Sequence, residues 1–558
     1  MNAVVRISNV RFKPGFGPAG PVPRASTGGA QGWPGAYFPL SSGFAYDAES
    51  MANEELGTWS PWLRSPDTEL NWYRDRRVAR SRDLERNDGY ARGAITRTVD
   101  DTIGSLFRLV VTPDWRMLSR INKTMDQVWA QEFADAIEGE WRNFAEDPAF
   151  WSDLTRQASI VQMFRLQLRH KLIDGESLLM LPWDPDAVGP GRARFATRVQ
   201  LIDPDRLSNP FDQTDSQTMR GGVEIDVNGA PLAYHIRKAH QYDMYDVVRS
   251  MQWERMPRET EWGRPIMVHD LDPDRVAQHR GLGVLVPVLA EFKNLTRYDR
   301  AELSQALLQT AIGTFIESPY DPDQVAAAMQ ASSLENTELN AYQDMRYMAH
   351  EKGNISIGGV RIPMLTPGEK IASVPPRHPS ANFEAFQSAV LRKVASALGM
   401  TAEQITQDYS KANYSSLRAA LLTSWRTMKR RRADFATGTA TPVYSAFLEE
   451  ALDMFPELLP RNAPSWLEYR AAYCRCKWTG PGRGWIDPVK ERQGVVLGLD
   501  AGLSTLEDEV ADISGGDWKE ALEQRAQETA EFHRLGLRLP EWAGPVDATE
   551  STERPTAE

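Results

Sequence analysis

Two long helical patterns constrain the fold of this chain more than any other feature. Residues 284–309 carry apolar side chains, such as Val288 and Phe292, at helical spacing. At about 1.5 Å per residue this helix is roughly 40 Å long, and it needs neighbours along its whole side. Residues 381–398 form a second helical pattern, and Gly399 stands where a left-handed cap residue is expected. The sequence therefore predicts two long helices whose apolar sides must be covered by other elements.

Composition and charge limit the partners of the chain. It has 558 residues, of which 41% are hydrophobic and 25% charged, so a packed core of more than one domain is expected. The net charge of -12 argues against a surface that grips nucleic acid everywhere, but it allows brief contact at a few points. The most apolar stretch, at 281–290, is too short to span a membrane and contains Pro287. No membrane partner is predicted.

The densest positive run lies on a predicted helix that begins near Ser415. It consists of Arg426, Lys429, Arg430, Arg431 and Arg432. One interpretation is a solvated helix end, where cations are favoured by the helix dipole. The other is a contact with phosphate groups or with a neighbouring subunit.

The β structure is predicted in the middle of the first half. Residues 222–226 and 231–236 alternate apolar and polar side chains, and Asn228 and Gly229 lie between them. An Asn-Gly pair between two such runs predicts a β-hairpin. Residues 1–47 are rich in glycine and proline and predict a flexible arm.

Signatures of catalysis are missing from the sequence. There is no Gly-x4-Gly-Lys-Ser/Thr phosphate loop and no Gly-x-Ser-x-Gly elbow. The two cysteines, Cys474 and Cys476, have no second pair to complete a tetrahedral metal site. We therefore predict no enzymatic activity, no cofactor and no metal site.

One metal-dependent alternative stays open. Asp203, Asp205 and Asp212 could hold magnesium in an enzyme that processes nucleic acid, although Asp-Pro-Asp is also an ordinary turn sequence. A further alternative is a soluble scaffold of a large assembly.

An ordered set of short motifs resembles the lambda-type portal proteins of tailed phages. The resemblance covers roughly residues 63–527 and keeps the same order throughout. The segments that carry it are Asn87-Asp88-Gly89-Tyr90, Gly175-Glu176, Gln200-Leu201-Ile202-Asp203-Pro204-Asp205-Arg206-Leu207, Gly221-Gly222-Val223-Glu224, Gln278-His279-Arg280-Gly281-Leu282-Gly283, Asn413-Tyr414-Ser415-Ser416-Leu417-Arg418 and Trp485-Ile486-Asp487-Pro488.

The resemblance implies an α+β subunit of a portal ring. Its parts are a wing of helices and β structure, long stem helices, a small α/β clip, a tunnel loop and a mostly helical carboxy-terminal region. On this sequence the implied divisions are the wing at 48–280, the first stem helix at 281–312, the clip at 313–373, the second stem helix at 374–400, the tunnel loop at 401–414 and a long wing helix and crown-like region at 415–535. The arm at 1–47 and a disordered tail at 536–558 are predicted from composition and lie outside the resemblance.

The resemblance also implies the function and the partners. A ring of probably twelve subunits would occupy one capsid vertex, where double-stranded DNA is packaged and ejected. The implied partners are the terminase large subunit, the major capsid protein and the head-tail connector proteins. The implied locations are the portal vertex of the virion and, during assembly, the host cytoplasm. The candidate channel residues are Gln407, Asp408, Tyr409, Ser410, Lys411, Asn413 and Tyr414.

Overall fold

The computed structural model describes most of the chain outside its two ends. The described residues are Trp59, 61–311, Met348, 383–410, 413–482, 488–538 and four short strands between 315 and 372. Contacts divide the chain into two units, Met1–Arg64 and Ser65–Glu558. Every helix and strand given below lies in the second unit. The predicted arm at 1–47 and nearly all of the predicted tail at 536–558 lie outside the described residues.

The described helices occur along the whole second unit. They are α1 (Pro66–Leu70), α2 (Arg74–Asn87), α3 (Gly89–Thr102), α4 (Trp115–Leu118), α5 (Gln127–Ala145), α6 (Ile160–Asp174), α7 (Val247–Ser250), α8 (Leu289–Ala311), α9 (Phe383–Leu398), α10 (Ala402–Thr406), α11 (Tyr414–Phe435), α12 (Thr441–Met454), α13 (Trp466–Tyr473), α14 (Pro488–Asp500), α15 (Leu506–Ser514) and α16 (Trp518–Leu535). The two long helical patterns of the sequence correspond to α8 and α9.

The strands form small antiparallel sheets. They are β1 (Arg108–Val111), β2 (Glu176–Met180), β3 (Gln200–Ile202), β4 (Met219–Arg220), β5 (Val223–Ile225), β6 (Pro231–Arg237), β7 (Trp253–Pro257), β8 (Met267–Leu271), β9 (Phe315–Glu317), β10 (Ile355–Ile357), β11 (Val360–Ile362), β12 (Lys370–Ala372) and β13 (Cys476–Thr479). The sheet orders are β1-β13, β3-β2-β8, β4-β5-β6-β7, β9-β12 and β10-β11.

The predicted hairpin and fold class are confirmed. Strands β5 and β6 pair antiparallel, with Val223 opposite Tyr234. Gly229 in the turn has φ 83°, a conformation that glycine adopts without strain. The mixture of many helices with small antiparallel sheets is the expected α+β class. None of the described helices is both long enough and apolar enough to cross a bilayer.

An aromatic cluster joins distant parts of the chain in the main core. Phe107 stacks on Trp478 with ring centroids 5.1 Å apart, and Phe164 meets Phe435 edge-on at 5.7 Å. The four rings come from the segment before β1, from β13, from α6 and from α11. Such pairs add to the free energy of burial. The core therefore fixes α11 against the amino-terminal helices.

Helix α11 does not end after its basic run. A π-helical turn, Ala436–Ala440, continues it directly into α12. The turn lies over Asp270 of β8, whose Oδ2 atom accepts a hydrogen bond from Thr439 Oγ1 at 2.9 Å. A Cβ atom on Gly438 would be 2.2 Å from Asp270 Oδ1, so glycine is required by this close approach. The interpretation of the run as a helix end is wrong, because the chain stays helical.

Candidate DNA-channel loop and its support

The loop that contains the candidate residues begins at a well-formed helix end. Helix α9 buries Leu391, Val394 and Leu398 against the core. Gly399 has φ 69°, and Met400 N–H donates to the Ala395 carbonyl at 3.0 Å. This is the left-handed cap that was predicted from the sequence. The chain thus leaves α9 in a defined direction.

A short helix then holds the base of the loop. Thr401 and Gln404 form a capping box at the start of α10, with reciprocal distances of 3.0 and 3.1 Å. Ile405 is buried, and Arg97 Nη1 donates to its carbonyl at 3.3 Å. The helix ends at Gln407, which has φ 58°. A non-glycine residue in this conformation is uncommon and fixes a sharp change of direction.

The candidate residues beyond this point are exposed. Gln407, Asp408, Tyr409 and Ser410 are all on the surface. The loop keeps some order, because Ser410 N–H donates to Asp408 Oδ1 at 3.0 Å. The loop therefore presents mainly polar side chains at the surface.

The loop ends at a second cap. Asn413 accepts a hydrogen bond from Ser416 N–H at 2.8 Å and so caps α11. Asn413 therefore has a structural role in addition to its exposure. Lys411 lies outside the described residues, and so does the side chain of Tyr414, whose backbone begins α11.

The basic run on α11 mostly serves contacts within the chain. Arg432 donates to the carbonyls of Thr102, Asp101 and Pro481 at 2.9–3.0 Å. Arg431 donates to the Leu398 carbonyl, at the end of α9, at 2.9 Å. Two further cations form ion pairs, Lys429 with Asp512 and Arg430 with Asp434. Most of these cations tie α11 to other segments of the chain, and the interpretation as a contact with phosphate groups or with a neighbouring subunit stays a prediction.

A buried charged cluster precedes the other long helix. Glu176 of β2 is fully buried, and Arg280 and Arg74 are nearly so. Arg74 Nη2 lies 2.8 Å from Glu176 Oε1, and His269 Nε2 lies 3.0 Å from Glu176 Oε2. Burial alone would raise the pKa of Glu176, but Arg280 and Arg74 outweigh it and hold this pKa well below its usual range.

Glycines allow the segment before α8 to lie against this cluster. A Cβ atom on Gly281 would be 2.0 Å from the Gly175 carbonyl oxygen, and one on Gly283 would be 2.1 Å from the Ile173 carbonyl oxygen. Gly175 itself has φ 95° and ends α6. The sequence analysis treated Gly175-Glu176 and the segment 278–283 as separate motifs and did not predict that they contact each other. A carboxylate at the start of an apolar strand was the available signal, because it predicts a buried partner.

An arginine side chain lies between Asp203 and Asp205, two of the three aspartates of the metal-dependent alternative. Arg82 lies between Asp174, Asp203 and Asp205, with nitrogen–oxygen distances of 2.7, 2.9 and 2.6 Å. His170, Asp174 and Asp203 do bring one possible ligand atom each close together. However, Arg82 already donates hydrogen bonds to the carboxylates of Asp174, Asp203 and Asp205 and forms ion pairs with them.

Asp212 takes no part in that cluster. It pairs with Arg237, which belongs to β6. The three aspartates of the metal-dependent alternative therefore do not converge on one unpaired acidic site among the described residues. The arrangement favours a structural role for them.

Comparison with known proteins identifies the family of this α+β chain. The family described as phage portal protein, lambda family, matches residues 52–432. The chain belongs to this family.

Relatives support the same assignment. Portal protein B of Escherichia phage lambda is 32% identical over 88% of this chain and 90% of its own length. The portal protein of Escherichia phage N15 is 30% identical over the same shares. A solved neck of an empty GTA particle has 14% identity and a TM-score of 0.37, over 72% of this chain and 94% of that one. This chain is therefore a phage portal protein and a virion component. The family is structural rather than enzymatic. The enzyme alternative is not favoured.

Proposed function

We propose that this portal protein forms a closed ring, probably of twelve subunits, at one vertex of the capsid. Double-stranded DNA passes through the ring during packaging and ejection. Membership of the lambda portal family supports this proposal, together with the uncovered helices described next. Closed rings arise when one surface of a subunit binds a different surface of the next.

Within the described part of the chain, the helix pair α8 and α9 is only partly covered. The two helices meet through Tyr298, whose ring lies 4.9 Å from that of Phe386. Beyond this contact, Leu303 is 62% exposed. Apolar positions left open along a long helix indicate a missing neighbour. We propose that adjacent subunits cover them and that α8 and α9 are the stem helices of residues 281–312 and 374–400.

The exposed loop carries the proposed contact with DNA. It is anchored by Ile405 on one side and capped by Asn413 on the other, and Gln407, Asp408, Tyr409 and Ser410 between them are exposed to solvent. This arrangement is the observation on which the channel assignment rests. Lys411 is the only cation between Thr401 and Leu417. In an acidic protein, single polar and cationic contacts let DNA pass without holding it.

The remaining divisions follow from the same proposal. The wing comprises 48–280, and the region at 415–535 adds the long wing helix and a crown-like part. The clip at 313–373, of which four strands and Met348 are described, would receive the terminase large subunit and later the head-tail connector proteins. The wing would contact the major capsid protein. Assembly would take place in the host cytoplasm.

A mass measurement tests the ring. Purified protein in mild salt should have a solution mass of roughly a dozen times the 62.8 kDa of one chain. Negative-stain images should show closed particles with a central hole. Monomers alone, or open filaments, would contradict the proposal.

A charge reversal tests the loop separately. Lys411→Glu should reduce the DNA content of heads while rings still assemble, because a circle of carboxylates repels the passing phosphates. The matched control is Lys123→Glu, an exposed cation far from this loop in sequence. Higher salt should partly relieve the defect, since exposed charges are screened within about 10 Å at 0.1 M. Full DNA content in the Lys411→Glu heads would rule out the contact.

A further inference from the structure

A cleft of about 640 Å³ lies away from the proposed channel loop, among β1, β13, α5 and the start of α16. Val110, Val111, Ala130 and Ala134 contribute apolar walls, and Trp518 contributes an aromatic one. A volume of this size is in the range of small-molecule sites in proteins. Neither the portal assignment nor the channel proposal uses this cleft.

Glu138 lies in the lining of the cleft and is only 7% exposed. Its Oε1 atom accepts a hydrogen bond from Val111 N–H at 2.7 Å. Its Oε2 atom has no hydrogen-bond donor among the described residues. A carboxylate that is buried without a cation is costly, so a site of this kind favours a positively charged ligand.

The other charged side chains of the cleft, apart from Asp517, interact with partners within the chain. Lys519 pairs with Asp135 at 2.6 Å, Lys477 with Glu507 at 2.7 Å and Arg475 with Asp114 at 3.4 Å. Arg116 lies over the Trp115 ring, 5.4 Å from its centroid.

Asp517 caps its own helix through Lys519 N–H and forms no ion pair within the described part of the chain. The two acidic side chains of the cleft that form no ion pair among the described residues are therefore Glu138 and Asp517. Arg116 is the one cation of the lining without an ion pair there, so unpaired carboxylates outnumber unpaired cations by two to one.

We propose that this cleft binds a small organic cation, an alkylammonium or alkylguanidinium, through the carboxylate of Glu138. The charged head takes the free Oε2 atom, and the alkyl stem packs on the apolar wall and on Trp518. The burial of Glu138 raises its pKa to about 7, so its charged form is favoured above that pH.

The test uses the full-length assembled protein and two matched probes. n-Propylguanidinium chloride is titrated at pH 8 and constant ionic strength, with calorimetry and tryptophan fluorescence as readouts, and n-propylurea serves as the neutral isostere. Saturable binding of the cation is expected, with at least tenfold weaker binding by Glu138→Gln, because a charge-assisted hydrogen bond is lost. Glu132→Gln, an exposed position on the same helix, should bind as the wild type does.

Three results would overturn the proposal. They are the absence of saturable binding, equal binding of the neutral urea, and wild-type affinity in Glu138→Gln. The glutamine keeps an acceptor for Val111 N–H, so this variant should fold, and thermal unfolding verifies that it does.

Discussion

The Nε atom of Arg280 lies 2.9 Å from both carboxylate oxygens of Glu176, and both side chains are buried. Glu176 belongs to β2, whereas Arg280 stands in the segment that leads to α8. The same carboxylate accepts a hydrogen bond from Gly281 N–H at 3.1 Å. The buried carboxylate of Glu176 therefore attaches the segment before a proposed stem helix, α8, to the β3-β2-β8 sheet.

Removing the charge of Glu176 should destabilise the protein strongly. Glu176→Gln leaves the guanidinium groups of Arg74 and Arg280 buried without their anion, which costs roughly 3–5 kcal/mol. Glu224→Gln, which breaks the more exposed pair with Arg255, should cost less than about 1 kcal/mol. Urea unfolding of both variants measures the difference. Equal losses would show that the buried cluster does not stabilise the junction.

A methyl group at the π-helical turn should be damaging. Gly438→Ala places a Cβ atom 2.2 Å from Asp270 Oδ1, so β8 or the turn has to move. We expect a loss of about 2 kcal/mol or more, since overpacking typically costs 1–3 kcal/mol. Gly494→Ala is the control, because nothing lies within 4 Å of that position on α14. It should be neutral or stabilising by up to about 1 kcal/mol. A stable Gly438→Ala variant would mean that the turn is not held by Asp270.

The stability should fall as the pH rises because of Glu138. Burial raises the pKa of Glu138 from 4.5 to about 7 in the folded protein. Between these pH values the folded state keeps a proton that the unfolded state releases, so the free energy of unfolding decreases by an amount on the order of 3 kcal/mol. Lys519, Asp517 and Asp135 are the charged groups that also act on the pKa of this carboxyl. All three are present both in the wild type and in the Glu138→Gln variant with which it is compared.

The measurement compares unfolding of the wild type and Glu138→Gln at pH 5 and pH 8. The stability of the wild type relative to the variant should decrease over this interval. A constant difference between the two proteins would show that Glu138 titrates at its ordinary pKa.

Magnesium should not stabilise the wild-type protein. Arg82 already forms ion pairs with Asp174, Asp203 and Asp205, and its guanidinium group lies between them, where an ion would have to bind. A bound ion at ten times its Kd would add about 1.4 kcal/mol, which is visible as a higher melting temperature. We expect the same melting temperature in excess EDTA and in magnesium chloride. Arg82→Ala should lower the free energy of unfolding by roughly 3 kcal/mol, because the buried Asp174 loses its guanidinium partner and keeps, among the described residues, only the contact with His170. A higher melting temperature of the wild type in magnesium chloride would support the metal-dependent alternative.

Local features were predictable because short stretches of chain determine them. The Asn228-Gly229 turn, the cap at Gly399 and the helical stretches of α8 and α9 all follow from residue type and spacing within a few positions. The exposure of residues 407–410 follows as well, since their polarity leaves nothing to bury. The resemblance to portal proteins rested on the order of motifs along the chain.

Only the tertiary structure decided which distant groups meet. Arg280 is 104 positions from Glu176, and Arg82 is more than 120 positions from Asp203 and Asp205. The carboxylates that looked like metal ligands are arginine partners. In the positive run, Arg431 and Arg432 donate to backbone carbonyl groups of other segments, whereas Lys429 and Arg430 form ion pairs. A sequence pattern specifies the chemistry that each side chain offers. Its partner depends on how the whole chain packs, because the energy of a charge is set by what surrounds it after burial.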